Sequence, residues 1–238
     1  MKKLLISFSV FVLIAGGIFA QTEADFIVEL TGDGTGVLIK QYTGRLLQIR
    51  IPATIQGMPV KIIGTGNHGE YVLPYNLRAT SVIIPEGVQK INNFAFQGFS
   101  SISNLVIPNS VTEIGYGAIS GTGIVSFSWP QHMTIIPDST FQDCTKLSNM
   151  IIPEGITEVG EGAFDGCTSL TSISFPSTIK KIGRSAFSGC YALASVIIPD
   201  SVSTIEFGEG GAGAFYNCPR IPLATQAALK RRGYNGSF

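Results

Sequence analysis

Charged residues are scarce in this sequence. Asp, Glu, Lys and Arg together make up 13% of its 238 residues, and 16 basic side chains balance 16 acidic ones. Proteins that bind nucleic acid or anionic lipid concentrate basic side chains in a patch that attracts phosphate groups. The sequence therefore predicts neither a nucleic-acid partner nor an electrostatic attachment to a membrane.

Histidine is also scarce, and the cysteines are widely spaced. His68 and His132 are the only histidines. Catalysis by a histidine needs an orienting acid and a nucleophile within hydrogen-bond reach, and neither histidine has such residues near it in the sequence. Cys144, Cys167 and Cys190 recur at one long, constant interval, so they lack the short paired spacing of a zinc site. We therefore expect no enzyme activity, no metal and no small-molecule substrate.

One glycine motif matches the G-x-G-x-x-G fingerprint of dinucleotide-binding proteins. Gly64, Gly66 and Gly69 form it, directly after Ile62-Ile63. A dinucleotide site requires a helix immediately after the motif, whereas the segment 71–74, Tyr-Val-Leu-Pro, has no helical period. We therefore expect no bound cofactor.

Only one long apolar run is present, and it lies at the N-terminus. Lys2 and Lys3 precede an apolar stretch from Leu4 to Phe19, and Ala20 offers a small residue before Gln21. This arrangement is typical of a secretory signal peptide; the alternative is a retained membrane anchor, for which the run is short. We predict cleavage after residue 20 and an exported mature chain without a membrane span, which is secreted, at the cell surface or periplasmic.

A short repeat organises the rest of the chain. Seven prolines mark it, and the last six follow one another at a nearly constant interval: Pro52, Pro85, Pro108, Pro130, Pro153, Pro176 and Pro199. Apolar residues lie six, three and one before each proline, in the L-x-x-L-x-L pattern of a leucine-rich repeat, where a short strand lines one face of each coil. A fixed period of this length predicts a solenoid whose coils bury one another.

The second half of each coil also directs apolar groups inward. Apolar residues follow each proline by three and six positions, and pairs such as Ala163-Phe164 close the coil. We expect the small residue to let the turn approach while the ring fills the layer. The cysteines occupy a position that holds Phe99 or Thr122 in other coils, which favours buried free thiols. Disulfides are the alternative, because export permits them.

The coil pattern resembles the BspA-like leucine-rich repeats of bacterial surface proteins. Ile152–Ile173 and Phe175–Val196 carry Ile-Pro-x-x-Val-x-x-Ile-Gly-x-x-Ala-Phe-x-x-Cys-x-x-Leu-x-x-Val nearly whole, and Tyr42-Thr-Gly44 and Ile51–Val60 are similar to that family's opening coil. The resemblance implies an exported module that binds a protein of the host matrix, the cell surface or the envelope.

We predict a mainly β repeat solenoid, a leucine-rich repeat stack of seven coils of roughly 22–23 residues each, with a cap at each end. The expected segments are a signal peptide at 1–20, an N-terminal β cap and first ladder strand at 21–50, the solenoid at 51–221 and a C-terminal cap at 222–238. Phe26–Leu30 and Val37–Lys40 flank a turn rich in Gly and Asp and predict a hairpin. Leu223–Arg231 predicts a short helix that covers the last coil with Leu223, Ala227 and Ala228.

Three insertions interrupt the repeat, and the sequence assigns no role to them. The interval from Pro52 to Pro85 is longer than one repeat, because chain is added at Gln56–Val60 and near His68–Leu77. A glycine-rich insertion spans Gly208–Gly213 in the last coil.

The outward positions of the predicted strands are the candidate partner-binding residues. The position two before each proline holds Arg50, Ile83, Val106, Ser128, Ile151, Ser174 and Ile197, and the position four before it holds polar residues that include Asn104 and Asn149. An apolar centre beside a polar row is typical of a protein-binding surface, although a solvated sheet face tolerates the same residues. We expect adhesion or host binding through this face; the alternative is a periplasmic or envelope scaffold for an endogenous protein.

Overall fold

The chain winds into a stack of short strands and turns, described by a computed structural model for residues 21–207 and 213–238. The predicted signal peptide and residues 208–212 of the glycine-rich insertion lie outside the described residues. Within the described residues the elements are a 3-10 helix (Glu23–Asp25), the strands β1 (Phe26–Leu30), β2 (Val37–Tyr42), β3 (Gln48–Arg50), β4 (Thr54–Ile55), β5 (Met58–Ile63), β6 (Ser81–Ile83), β7 (Lys90–Ile91), β8 (Asn104–Val106), β9 (Glu113–Ile114), β10 (Ile135–Ile136), β11 (Asn149–Ile151), β12 (Glu158–Val159), β13 (Ser172–Ser174), β14 (Lys181–Ile182), β15 (Ser195–Ile197) and β16 (Thr204–Ile205), and the helix α1 (Leu223–Arg231).

The predicted solenoid is confirmed, and each coil contributes to three sides. We number the coils 1 to 7 by their prolines, from Pro52 to Pro199. The strands before the prolines form the first ladder, with parallel sheets β3-β6-β8 and β11-β13-β15. The strands after the prolines form the second ladder, with β10-β12-β14-β16 parallel and β5, β7 and β9 joined to the N-terminal hairpin.

The third side is a row of tight turns held together by backbone hydrogen bonds between coils. The amide of Phe141 donates to the carbonyl of Ala163 at 2.8 Å, and Phe164 donates to Ala186 at 2.7 Å. Each Phe is fully buried, and the rings of Phe141, Phe164, Phe187 and Phe215 stack face to face with centroids 5.2, 5.1 and 5.5 Å apart. This aromatic stack is the axis of the core in coils 4 to 7, because each of these coils adds one ring to the same position.

Coil 4 departs from the prediction, because Ser126–Ser128 forms no strand and both ladders are interrupted beside it. Thr122 and Ile124 enclose one residue, whereas the equivalent pair Cys144 and Leu147 encloses two. The shortened chain draws Gly123 so close to coil 3 that a Cβ atom there would overlap the carbonyl oxygen of Ser100. The prediction of a regular strand in this coil is therefore wrong.

A proline accounts for part of the interruption in the second ladder. In neighbouring coils, the amides of Gly115, Gly160 and Gly183 each donate to the preceding coil at 2.8 Å. Pro137 occupies the equivalent position in coil 4 and has no amide hydrogen to donate. The turn side continues through this point, since the amide of Ile119 donates to the carbonyl of Thr140 at 3.2 Å.

The N-terminal cap is the predicted hairpin. β1 pairs antiparallel with β2, and β2 pairs in parallel with β5, so the hairpin covers the open end of the second ladder. Tyr42 is fully buried beneath it, and its hydroxyl accepts a hydrogen bond from the amide of Leu46 at 3.1 Å. A Cβ atom on Gly44 would overlap that hydroxyl oxygen, which explains the Tyr-Thr-Gly sequence.

The C-terminal helix has the predicted bounds but a different buried side. Leu223 is 81% exposed and Ala227 is exposed, so the predicted contact through these two residues is wrong, whereas Ala228 is half-buried. The buried residues are Leu229 and, beyond the helix, Tyr234, whose ring meets Phe215 edge-on at 5.8 Å. Tyr234 thus closes the aromatic stack, and its hydroxyl accepts the amide hydrogen of Phe215 at 3.1 Å.

The first-coil insertions form two ordered structures. Gln56 and Gly57 both have positive φ, 54° and 75°, which is the two-residue turn that joins β4 to β5 in an antiparallel hairpin. The second insertion brings Val72 and Leu73 into the core, at the place that plain repeat spacing assigns to His68. His68 is therefore displaced outward, and its ring lies edge-on to Phe94 at 4.9 Å.

Candidate protein-interaction surface

The candidate residues lie on the outer face of the first ladder. The middle residue of each three-residue strand is buried and both flanking residues point outward, so strands such as β11, β13 and β15 alternate exposed, buried, exposed. This alternation follows from the two-residue period of a strand. Arg50, Val106, Ser128, Ile151, Ser174, Ile197, Asn104 and Asn149 are exposed, and Ile83 is half-buried.

The apolar residues of this face are unequally exposed. Ile151 is 84% exposed and Ile197 is 62% exposed, whereas Val106 is 43% exposed. Ile151, Ser174 and Ile197 stand in register on β11, β13 and β15, and because Ser174 is small, it leaves the two isoleucines standing above the sheet. We call this row, together with the parallel row Asn149, Ser172 and Ser195, the C-terminal patch.

The polar row gives the patch a hydrogen-bonding border. Asn149, Ser172 and Ser195 are exposed and in register, and the side-chain amide of Asn149 donates to the hydroxyl of Ser148 at 3.2 Å. On the N-terminal half of the ladder, the side chain of Asn104 donates to Ser81 of the preceding coil at 2.9 Å. An apolar centre with such a border has the chemical layout of a protein interface.

The two halves of the ladder do not form one continuous sheet. Arg50, Ile83 and Val106 lie in register on β3, β6 and β8, and the interruption at coil 4 separates them from the C-terminal patch. Ser128 is exposed but lies in the interrupted segment. The structure therefore places eight of the nine candidates in two groups of four, with Ser128 between them. The shortened coil 4 is the only signal of this division in the sequence.

The outer edge of β3 is covered by the chain that precedes the hairpin. The amide of Arg50 donates to the side-chain oxygen of Gln21 at 2.8 Å, and the amide of Gln56 donates to the carboxylate of Glu23 at 2.8 Å. The first contact satisfies a donor that the open edge of β3 would offer to another strand, and the second ties the same segment to the turn between β4 and β5. The exposed part of the first ladder is accordingly its face and not this edge.

The four cysteines are free and buried, as predicted. Their thiols point the same way along the stack, and each donates to a backbone carbonyl of the preceding coil: Cys167 to Phe141 at 3.2 Å, for example, and Cys190 to Phe164 at 3.2 Å. Burial raises the pKa of the Cys144 thiol to about 11 and that of Cys218 to about 12. These thiols stay protonated at neutral pH, and only the thiolate is an effective nucleophile. The cysteines therefore act as buried packing residues and not as reactive groups.

The two histidines have separate surroundings. His68 is exposed beside Phe94, and His132 is exposed in the turn after Pro130, three coils further along. Among residues 21–207 and 213–238, no group of three or more His, Cys, Asp or Glu side chains is arranged to hold a metal ion. The same part of the chain contains no helix with the length and apolar character needed to cross a membrane.

Known structures share this architecture. The T. pallidum leucine-rich repeat protein superposes with a TM-score of 0.78 at 27% identity, covering 92% of this chain and 98% of that protein. A leucine-rich cell surface protein of Faecalibacterium prausnitzii gives a TM-score of 0.56 at 26% identity, with 77% of this chain covering 55% of that one. A leucine-rich repeat protein of Eubacterium ventriosum shares the fold, with a TM-score of 0.63 at 20% identity over 81% of this chain and 52% of that one. No curated protein matches the sequence.

The family model for the BspA-type leucine-rich repeat region matches residues 69–194 and 134–225, with six copies of the repeat. These matches together span more than half of the sequence, and they cover the coils whose ladders and aromatic stack are described above. The fold and family are those of protein-interaction scaffolds. The chain belongs to the BspA-type leucine-rich repeat family.

Proposed function

We propose that the mature chain is an exported adhesion module that binds a host or cell-surface protein through the C-terminal patch. The observation that carries the proposal is the exposure of Ile151 on β11 and Ile197 on β15, in register on either side of Ser174 on β13. Water contacts both side chains in the isolated protein, and a partner that covers them would remove this apolar surface from water. The polar row beside them would meet the partner's hydrogen-bonding groups.

The expected contribution of the two isoleucines is large enough to measure. Fully burying an isoleucine is worth about 1.5–3 kcal/mol, and the two side chains retain most of their surface for a partner. A combined contribution of about 3 kcal/mol corresponds to roughly a hundredfold change in the dissociation constant. The rigid solenoid adds to this effect, because a preformed surface loses little conformational freedom on binding.

The test compares capture of cell-surface or matrix proteins by the wild-type chain and by an Ile151→Lys/Ile197→Lys variant. We expect the double variant to keep its fold, because both positions face solvent, and to lose the captured partner. Leu223→Lys is the matched control: Leu223 is 81% exposed but lies on α1 and not on a ladder strand. Undiminished capture by the folded double variant would refute a role for the C-terminal patch.

The second candidate function is a periplasmic or envelope scaffold for an endogenous protein. The same patch would serve it, so the two candidates differ in location and not in chemistry. Labelling of intact cells with a membrane-impermeant reagent separates them, since only a surface-exposed chain is labelled. Labelling that requires cell disruption would favour the envelope scaffold over adhesion.

A further inference from the structure

A cavity of about 510 Å³ lies at the N-terminal end of the solenoid, away from the C-terminal patch. Its walls come from β1 and β2 on one side and from the insertion around residues 65–75 on the other. The repeat pattern explains the burial of Val72 and Leu73, of which Leu73 also borders the cavity, but it does not explain the exposed residues Glu70 and Tyr75 that line it. Its volume is within the range of sites that bind small ligands.

Two tyrosines form an aromatic corner in this cavity. Tyr75 is 85% exposed, and its ring is tilted by 55° against that of Tyr71, with centroids 5.8 Å apart. Tyr71 in turn packs edge-on against the buried ring of Phe99 at 6.0 Å. The solenoid thus holds one ring firmly and presents the second to solvent, where it contributes almost nothing to the core.

Backbone contacts fix the corner in place. The amide of Tyr42 donates to the carbonyl of Val72 at 2.7 Å, and the amide of Val72 donates to Ala95 at 3.3 Å. Within the insertion, the amide of Leu77 donates to the carbonyl of Pro74 at 2.9 Å. A ligand would therefore meet a preformed site and would not have to order this segment.

The polar groups around the corner include both signs of charge. Hydrogen bonds from Thr65 and Asn67, aided by the charge of Lys40, lower the pKa of Glu70, so it is an anionic acceptor. Lys40 is a cationic donor whose ammonium lies 2.7 Å from Glu29, and Gln41 adds an amide to the wall. Paired charges of opposite sign give a strongly charged ligand no net attraction, whereas a neutral ligand with many hydroxyls can use donors and acceptors alike.

We propose that this cavity binds a neutral oligosaccharide. A pyranose ring has one face of C–H groups, which packs on an aromatic face because the face of the ring carries negative potential. Its hydroxyl groups point outward in the ring plane and need hydrogen-bond donors and acceptors, which Glu70, Lys40, Gln41 and Thr65 supply in the lining of the same cavity. Tyr75 would be the stacking platform, and the edge of the sugar would face these polar side chains.

The test is titration of the folded chain with maltotriose, cellotriose, mannotriose and chitotriose, followed by NMR of its backbone amides. We expect at least one trisaccharide to shift amides of residues 65–75 and not those of β11, β13 and β15. Tyr75→Ala should weaken binding about tenfold, the loss expected for one aromatic contact of about 1.4 kcal/mol, whereas Tyr75→Phe should retain it. Tyr191→Ala, at a half-exposed tyrosine in the turn after Cys190, is the control.

Three results would overturn the proposal: no trisaccharide binds, Tyr75→Ala binds as tightly as the wild type, or the uncharged tripeptide of alanine binds these residues equally well. The last result would identify a peptide site. The cavity and the C-terminal patch share no residue, so the failure of one proposal leaves the other standing.

Discussion

Removal of one ring from the aromatic stack should destabilise the solenoid more than any change on its surface. Phe164 is fully buried between Phe141 and Phe187, at centroid distances of 5.2 and 5.1 Å. The carbonyl oxygen of Phe164 also accepts the thiol of Cys190 at 3.2 Å. A Phe164→Ala substitution removes the ring and leaves the backbone hydrogen bonds of the turn side available, so it isolates the contribution of packing.

The structure sets the magnitude of this loss. Loss of the ring removes about 2 kcal/mol of favourable transfer free energy. An unrelaxed void of roughly 100 Å³ adds about 2.4 kcal/mol to the destabilisation. We therefore expect the free energy of unfolding to fall by about 4 kcal/mol. Neighbouring coils limit relaxation, because hydrogen bonds from Phe141 to Ala163 and from Phe164 to Ala186 hold their spacing.

Urea unfolding followed by circular dichroism and by the fluorescence of Trp129 measures this loss. Trp129 is the only tryptophan, and its ring centroid lies 5.7 Å from that of Phe141. Because Phe141 stacks directly on Phe164, the fluorescence of Trp129 reports on the coil next to the substitution. Phe164→Ile is the matched control, since coil 3 already holds a fully buried Ile119 at this position, and it should cost roughly 1–2 kcal/mol. A loss below about 1 kcal/mol for Phe164→Ala, or equal losses for both variants, would refute the packing argument.

Two further predictions concern the thiols and the N-terminal cap. Burial raises the pKa of the Cys144 thiol from 9.0 to about 11 and that of Cys218 to about 12. Above pH 9 the unfolded chain therefore loses thiol protons that the folded chain keeps, so the free energy of unfolding should fall as the pH rises from 9 to about 11. Urea midpoints across this range should show the fall, and Cys144→Ala should reduce it; an unchanged slope would contradict this. Gly44→Ala should lower stability by about 1–3 kcal/mol through overlap with Tyr42, measured by thermal unfolding. Gly32→Ala, with no atom near its Cβ position, should be neutral, and equal effects at both glycines would exclude overlap as the cause.

The regular part of the fold was predictable because each coil repeats the same physical requirement. The central strand residues, the Phe of each turn and the cysteines are buried at the predicted positions, since a residue that faces the axis in one coil faces it in every coil. The hairpin and the bounds of α1 were predictable for a local reason, namely turn residues and helix-forming composition. The buried side of α1 was predicted wrongly, because the short helix is anchored by Leu229 and Tyr234 and not through Leu223.

The candidate site was only partly predictable. Strand alternation identifies which residues of the first ladder point outward, and it predicts that Ile83 and Ile151 are equally exposed. In the structure Ile83 is half-buried, whereas Ile151 is 84% exposed. The difference depends on neighbours from other coils. The insertion that carries Tyr71 and Tyr75 has no repeat partner, so its place beside β2 could not be deduced from the period.

A constant repeat period and a two-residue alternation are properties of the chain alone, so they were enough to predict the solenoid, its axial residues and the direction of the strand side chains. The breaks in the ladders, the high exposure of Ile151 and Ile197, and the position of Tyr75 in a cavity with Glu70 and Lys40 became known only from the three-dimensional structure. These features arise from contacts between coils and the cap. A single residue missing at Gly123, or a short insertion, changes such contacts without changing the period.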